Sequence, residues 1–439
     1  MKNIHILALI LFAFGLFRLE AQPAKEPVMS MTQIDQLTYR QYLQADWNNL
    51  IKTGKKAHKN GIDFYFLEVR MGIAYYHLKK YRKAIKYLEK AFQKDEKNTL
   101  VAEYLYGAYL YGGRYLDAQR ISNGFNPKLK HKLGIDKNHL IDVAGVDYKM
   151  EILDDYLIPV SDEELNQDVI TQNTYVGVDL GNYYGPGNLF WLSAGHLQRN
   201  FTQNIYENNM QSVYDKTMTQ NQFYVAHYSQ IATGLNIGLA INWLQINYND
   251  VTYRKQGRNG RIVAVPSKET LHEWIGFGGL RKDIGDFKLG LTISVANIKD
   301  QLQAQPAIET YWYPLSNTDL YFFSNFNYKM EYEQNNWYND VIIKTGIGLR
   351  LGKIYVEPAY TYGDLYNFVE ADGLIVYNDD EIINNRMELL TYVYLIKSRL
   401  KVYAKYQQYT KTNFYQLNGL PQTIDYTNQT ITTGVLWNF

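Results

Sequence analysis

The chain of 439 residues contains no cysteine. That excludes a disulfide scaffold, a thiolate nucleophile and a lipid-modified N-terminal cysteine, so a bacterial lipoprotein is ruled out. Charge of one sign is also lacking. The 45 Lys and Arg are matched by 44 Asp and Glu, a net +1, so no overall field draws nucleic acid or an anionic membrane surface. Long hydrophobic runs are scarce: the one unbroken stretch, Ile6 to Phe17, is too short for a comfortable membrane-spanning helix. Catalytic signatures are missing as well. There is no Gly-rich phosphate loop, no His-Glu-x-x-His and no nucleophile elbow. The eight histidines are scattered and none is paired at ligand spacing. Ser193 and His196 fall on opposite faces of one strand, and Ser229 and His227 share a face that reads as lipid-facing. We therefore expect no catalytic residue, no metal, no cofactor and no enzyme activity.

What the chain does have is tyrosine, 41 residues of it, within an aromatic share of 15%. An amphipathic ring suits a site that is apolar at one end and wet at the other, as at a membrane interface. The N-terminus reads as a secretory signal over residues 1–21, with Lys2 and His5 before the apolar run and Ala21-Gln22 as the cleavage point.

From residue 34 to 125 the apolar period is helical. Within it, Tyr65 to Asn98 carries Gly72 as a close-contact position with Met71 and Tyr75 beside it, then Ala84, Leu88 and Ala91 in a second helix. This 34-residue segment resembles a tetratricopeptide repeat, with Asp95-Glu-Lys-Asn where the family usually has Asp-Pro. A second copy starts near Thr99 with Gly107, Tyr109, Ala118 and the Gly112-Gly113 turn, its spacing off by one residue. A degenerate copy precedes the good one, around Tyr39 to Lys59. The resemblance implies a concave, partner-binding face lined by first helices. The candidate face is Glu68, His77, Glu103 and Tyr106. The plainer alternatives are a spacer, or a support packed on barrel turns such as Asn182 to Gly187. Residues 126–139 read as a linker.

From residue 140 to 439 the period changes from 3.6 to 2. Leu235, Ile237, Leu239, Ile241 and Trp243 alternate with small or polar residues, as do Phe287 to Val295 and Val341 to Leu349. Large apolar residues on one face fit lipid outside; small and charged ones on the other fit water inside. Fourteen strands are expected, near 140–151, 172–181, 188–198, 220–231, 234–248, 270–280, 284–296, 302–313, 317–330, 337–349, 353–363, 385–396, 399–410 and 428–439; twelve and sixteen are alternatives. Gaps after even-numbered strands are short and read as periplasmic turns; those after strands 1, 3, 5, 11 and 13 are long, polar and external. The segment Phe368 to Tyr377 is a place where a further element can hide. On the inner face lie Lys288, Lys329, Lys344, Arg350, Glu357, Glu388, Lys401 and Lys405, with bases outnumbering acids. They line a water channel or form a closed salt-bridge network. Glu370, Asp372, Asp379, Asp380 and Glu381 read as a solvated acidic loop. The last strand ends with Val435, Trp437 and Phe439 on one face, which resembles the assembly signal of outer membrane proteins.

The fold class is thus α plus membrane β: a short periplasmic tetratricopeptide-like module, then an antiparallel transmembrane barrel in the outer membrane. This layout resembles the YaiO-type outer membrane barrel family of Bacteroidota, whose members are mostly of unassigned function. It is also similar to surface lipoprotein assembly modulators and, with a much shorter repeat region, to polysaccharide exporters. The resemblance implies export or assembly of surface components through the module, with a passive pore, a polysaccharide export channel or a structural subunit as alternatives. The implied partners are the barrel assembly machinery, a periplasmic or outer membrane protein, membrane lipid and lipopolysaccharide.

Overall fold

The computed structural model describes residues 29–135, 139–152, 165–207, 210–256, 261–378, 381–396 and 399–439. The expected signal segment 1–21 lies outside them, as do Asp379 and Asp380.

Seven helices come first: α1 (Met31–Leu43), α2 (Trp47–Lys59), α3 (Tyr65–His77), α4 (Tyr81–Lys94), α5 (Thr99–Tyr111), α6 (Tyr115–Ser122) and α7 (Pro127–Leu133). None is long and apolar enough to cross a membrane. α1 starts in a capping box on Ser30 and Gln33, and Asn98 caps α5. α1 to α6 form three hairpins whose first helices begin at Met31, Tyr65 and Thr99, 34 residues apart, as do the second helices at Trp47, Tyr81 and Tyr115. The core between them holds Leu50, Met71, Ala84, Leu88, Leu105 and Ala118, all at most 1% exposed. Gly72 lets α3 and α4 touch, since a Cβ there would sit 2.6 Å from Leu88. The third hairpin is therefore in phase, not one residue off. Its Gly107 has a separate use: a Cβ would meet the Tyr76 hydroxyl at 2.7 Å. The stretch expected as a linker contains α7, which closes the stack over Ala102 and Phe125 through Leu129.

The strands are β1 (Val143–Ile152), β2 (Leu165–Tyr184), β3 (Asn188–Glu207), β4 (Met210–Ala232), β5 (Leu235–Gln256), β6 (Arg261–Ile284), β7 (Phe287–Ile298), β8 (Gln301–Trp312), β9 (Leu320–Glu333), β10 (Asn336–Leu351), β11 (Ile354–Tyr362), β12 (Phe368–Glu370), β13 (Ile375–Tyr377), β14 (Ile382–Leu395), β15 (Leu400–Leu417) and β16 (Leu420–Asn438). Fourteen of them close an antiparallel barrel; β12 and β13 form a separate hairpin. β1 pairs with β16 from Val143–Asn438 to Ile152–Gln429, so the sheet has no open edge to leave unsatisfied in lipid.

Leu239, Ile241, Leu289, Leu291, Val225 and Val341 point out and are 41–67% exposed. This is a transmembrane barrel of the outer membrane type, with an outward apolar belt. Aromatic pairs edge the belt. Phe223–Trp243 and Trp243–His272 stack at 5.8 and 5.6 Å on one side, and Phe287–Trp312 and Trp312–Phe322 at 6.4 and 5.4 Å on the other. Leu235 to Trp243 spans about 26 Å of strand at ~3.3 Å per residue, about 20 Å of height at a tilt of ~40°, which is most of such a belt.

Several expected outer loops are strand instead. β2 to β6 run 20 to 24 residues each. Beyond the belt the polarity inverts: Gln245, Asn247 and Asn249 face out while Leu244 and Ile246, at most 1% exposed, face in. Above the lipid, an apolar exterior has no use, and the interior can hold an apolar core. A pattern search keyed to the lipid-facing parity stops at that inversion.

Candidate functional site

The feature that sets what this barrel can do is the segment after β11. It turns inward and lays β12 and β13 inside the lumen. Val369 packs in an inner apolar cluster with Met218, Leu244, Ile246, Ile275 and Ile298. The Gln305 side chain imitates a neighbouring strand, donating to the Val369 carbonyl at 2.7 Å and accepting from its N–H at 3.2 Å. Asn242 donates to the Gly373 carbonyl at 2.7 Å, and Gln222 to that of Leu374 at 2.5 Å. Lys329 donates to the Tyr366 carbonyl at 2.6 Å.

Charge fixes the same hairpin. Arg281 grips Asp372 with both terminal nitrogens, at 3.0 and 2.6 Å, and holds Glu309 at 2.7 and 2.8 Å. Glu370 receives Lys344 at 2.6 Å and both terminal nitrogens of Arg386 at 2.9 and 3.1 Å. Glu388 lies within 2.6 Å of Lys344 and 3.2 Å of Arg386. Lys411 meets Glu381 at 2.9 Å. Of the acidic segment read as a solvated loop, Glu370, Asp372 and Glu381 are thus counter-charges of the lumen. They answer the bases that outnumber acids on the inner face of the strands.

The eight expected lumen residues do not form one cluster. Lys344 and Glu388 join the network just described; Lys329 is 1% exposed and fixes the hairpin. Glu357 accepts a hydrogen bond from Tyr321. Lys288, Lys401 and Lys405 face space inside the barrel. Arg350 sits at the rim, 3.2 Å from Asp319 and over the Tyr355 ring at 5.4 Å. Arg281 and Arg386 were missed. Two residues before Glu388, Arg386 shares its face. Arg281 falls one residue beyond where the sixth strand was expected to end.

The helical module is docked on the short turns. Arg82, 3% exposed, donates to the carbonyls of Gly285 at 2.8 Å, Phe287 at 2.9 Å and Gly112 at 2.8 Å, meets Asp283 at 2.6 Å, and stacks over Tyr313 at 4.2 Å. Asp117 accepts from the Gly234 N–H at 2.9 Å and from Gln230. Gln119 donates to the Gly185 carbonyl at 2.7 Å. Asn317 donates to the Lys79 carbonyl at 2.9 Å. Gly187 (φ +77°) makes room for this approach, since a Cβ would lie 3.2 Å from Arg120.

The candidate partner face is divided. Glu68 is fully buried in the module, 3.3 Å from Lys90 and 3.1 Å from His58. Tyr106 packs edge-on against Phe125 at 5.9 Å, and Glu103 pairs with Lys132 of α7 at 2.6 Å. His77 is exposed, stacked on Trp47 at 4.7 Å and 3.2 Å from the Tyr104 hydroxyl. Met71, Tyr75, Ala84, Leu88 and Ala91 are core. The sequence showed no histidine at ligand spacing, yet folding gathers His58, Asp63 and Glu68 within 4.8 Å. The Lys90 ammonium lies 3.8 Å from Asp63 as well as 3.3 Å from Glu68, so a cation of the chain already serves both carboxylates. Val435 and Phe439 are outward and exposed; Trp437 and Phe439 meet at 6.4 Å beside the β1–β16 seam.

No family model matches the chain, and no curated protein matches it. Solved structures similar to it include a Pseudomonas aeruginosa FadL homologue, at TM-score 0.43 and 8% identity over 68% of this chain and 90% of that one. The Pseudomonas putida toluene transporter TodX gives TM-score 0.41 and 9% identity over 70% and 90%. A bacterial polysaccharide outer membrane secretin gives 0.36 and 10% over 69% and 100%. These likenesses assign neither family nor solute.

Proposed function

We propose that the protein is a gated outer membrane channel: its lumen is closed at rest by the β12–β13 hairpin and its periplasmic mouth is framed by the docked module. One observation carries this reading. The hairpin is tied across the lumen to opposite walls, from Asn242 on β5 to Arg386 on β14, by groups that water would otherwise solvate. A charged interior network would stabilise a sealed barrel equally well. The turn Ala371 to Leu374, however, is a compact element held by side chains of one wall, Gln222, Tyr228, Asn242 and Arg281, and such an element can leave as a unit. The test is conductance in planar bilayers of the full-length protein beside a variant lacking residues 366–378. The variant should show steady openings where the parent is mostly closed. Equal, low conductance in both would end the channel reading.

A second reading is supported by the three-hairpin module, whose 34-residue period and helix–turn–helix build are those of tetratricopeptide repeats. We propose that its uncovered surface receives a periplasmic or outer membrane partner, so that export or assembly is coupled to the barrel. His77, with Trp47 and Tyr104 beside it, is the accessible part of the expected face. Copurification from native membranes with and without His77→Ala and Tyr104→Ala together checks it; an unchanged partner set would count against this face.

A further inference from the structure

Between the α5–α6 turn and the β12–β13 hairpin the barrel holds a chamber of about 750 Å³, bounded by Gly113 and Tyr115 at one end and by Phe368 to Gly373 at the other. That size is within the range of small-molecule sites. One wall is a run of rings. Tyr311 lies 5.8 Å from Phe323, Tyr321 lies 5.8 Å from Tyr313, and Tyr355 stacks on Tyr392 at 4.7 Å with planes 2° apart. Glycine shapes that wall. Gly348 is the register partner of Tyr321 and Gly346 of Phe323, and a Cβ on either would collide with the facing ring. The rings therefore recline along the barrel wall and turn a flat face to the chamber.

The polar groups there are neither one-signed nor fully used. Glu309, Glu370, Asp372 and Glu388 are each answered by an arginine or lysine. Among the described residues, no carboxylate lies within 4.0 Å of Lys405 or of Lys288, whose ammonium sits 6.0 Å over the Tyr311 ring, and Glu357 has the Tyr321 hydroxyl. The Asn325 side-chain oxygen is buried without a partner. A chamber for a hydrocarbon would not keep unpartnered donors and acceptors, because each costs free energy to desolvate. A chamber for a strong anion would not set Glu357 among its lysines, nor neutralise Arg281 with both Glu309 and Asp372. Flat apolar faces beside mixed donors and acceptors suit a ring that has C–H faces and hydroxyl edges.

We infer that this chamber is a binding subsite for a neutral saccharide unit, stacked on the tyrosine wall with its hydroxyls bonded to Lys288, Glu357 and Asn325. This rests on the channel reading but is tested apart from it. Full-length protein in detergent would be titrated calorimetrically with neutral oligosaccharides of hexose, pentose and N-acetylhexosamine type, with oligogalacturonate as the acidic arm and toluene as the apolar arm. At least one neutral series should bind. Tyr321→Ala and Glu357→Gln should each weaken that binding about tenfold or more, while a change outside the chamber, Lys83→Ala, should leave it unaltered. Conductance of the variant lacking residues 366–378 is read in parallel. Openings there with no neutral saccharide bound would overturn the subsite and spare the channel. Preference for oligogalacturonate or for toluene would overturn it in favour of that class. Binding unaffected by Tyr321→Ala and Glu357→Gln would place the sugar elsewhere and also overturn it.

Discussion

Arg82 and Arg281 act alike at the two ends of the chamber. Arg82 is buried and Arg281 part-buried, and the fork of each is filled by carbonyls or carboxylates from elements distant in sequence. Lysine has the charge but not the fork. Arg82→Lys should therefore loosen the module nearly as much as Arg82→Ala, seen as faster amide exchange in α4 and the β6–β7 turn, with the barrel intact. Unchanged exchange would mean that Gln119 and Asp117 suffice. Glu68 shows what burial does to a single group. Burial, and then the hydrogen bond and the charge of the neighbouring Asp63, push its carboxyl up to about 7. Its folded pKa is thus above the ordinary carboxylate value, so its contribution to stability is present in acid and is lost as pH rises from about 4.5 through 7. His58, lowered by burial, gives the opposite slope below about 6.5. Glu68→Gln should remove the first slope only. At pH 8 it should stabilise α3 locally by at most on the order of 3 kcal/mol, read by amide exchange, with no gain near pH 4. A gain that is equal at both values would contradict this account.

At the scale of elements, much was legible and the losses have physical causes. The 34-residue hairpin around Gly72 and Ala84 could be read because close helix contact demands small residues at fixed spacing. The third hairpin looked displaced because Gly107 resembles Gly72, whereas that glycine accommodates Tyr76 and position Tyr106 holds the phase. The barrel core of each strand was visible wherever lipid imposes alternation. It was lost where β4, β5 and β6 rise above the belt and reverse their polarity. The ends of the inner hairpin, Phe368 and Tyr377, are legible in the sequence, but its acids read as solvated, since no local pattern shows that Arg281 and Arg386 await them. The Arg281–Asp372 clasp is the charged tether at the hairpin's turn. Asp372→Ala leaves the part-buried Arg281 with Glu309 as its remaining carboxylate, a loss of about 1.5 kcal/mol. The hairpin's open population should rise on the order of tenfold, read as opening frequency in bilayers. A frequency equal to the parent's would show that the backbone tethers at Asn242 and Gln305 dominate.

Taken as a whole, the molecule is a closed barrel with a tethered hairpin inside and a rigid helical stack on its short turns. Closure by that hairpin is the claim on which channel, chamber and saccharide all depend. The absence of native cysteine makes a clean test available. Val369 on the hairpin and Ala296 on β7 belong to one inner apolar cluster. Val369→Cys and Ala296→Cys can be joined by a short reducible thiol crosslinker and studied in one bilayer before and after reduction. The account predicts no openings while the hairpin is held, and openings once the link is cut. Conductance that is the same in the linked and the reduced protein would contradict it.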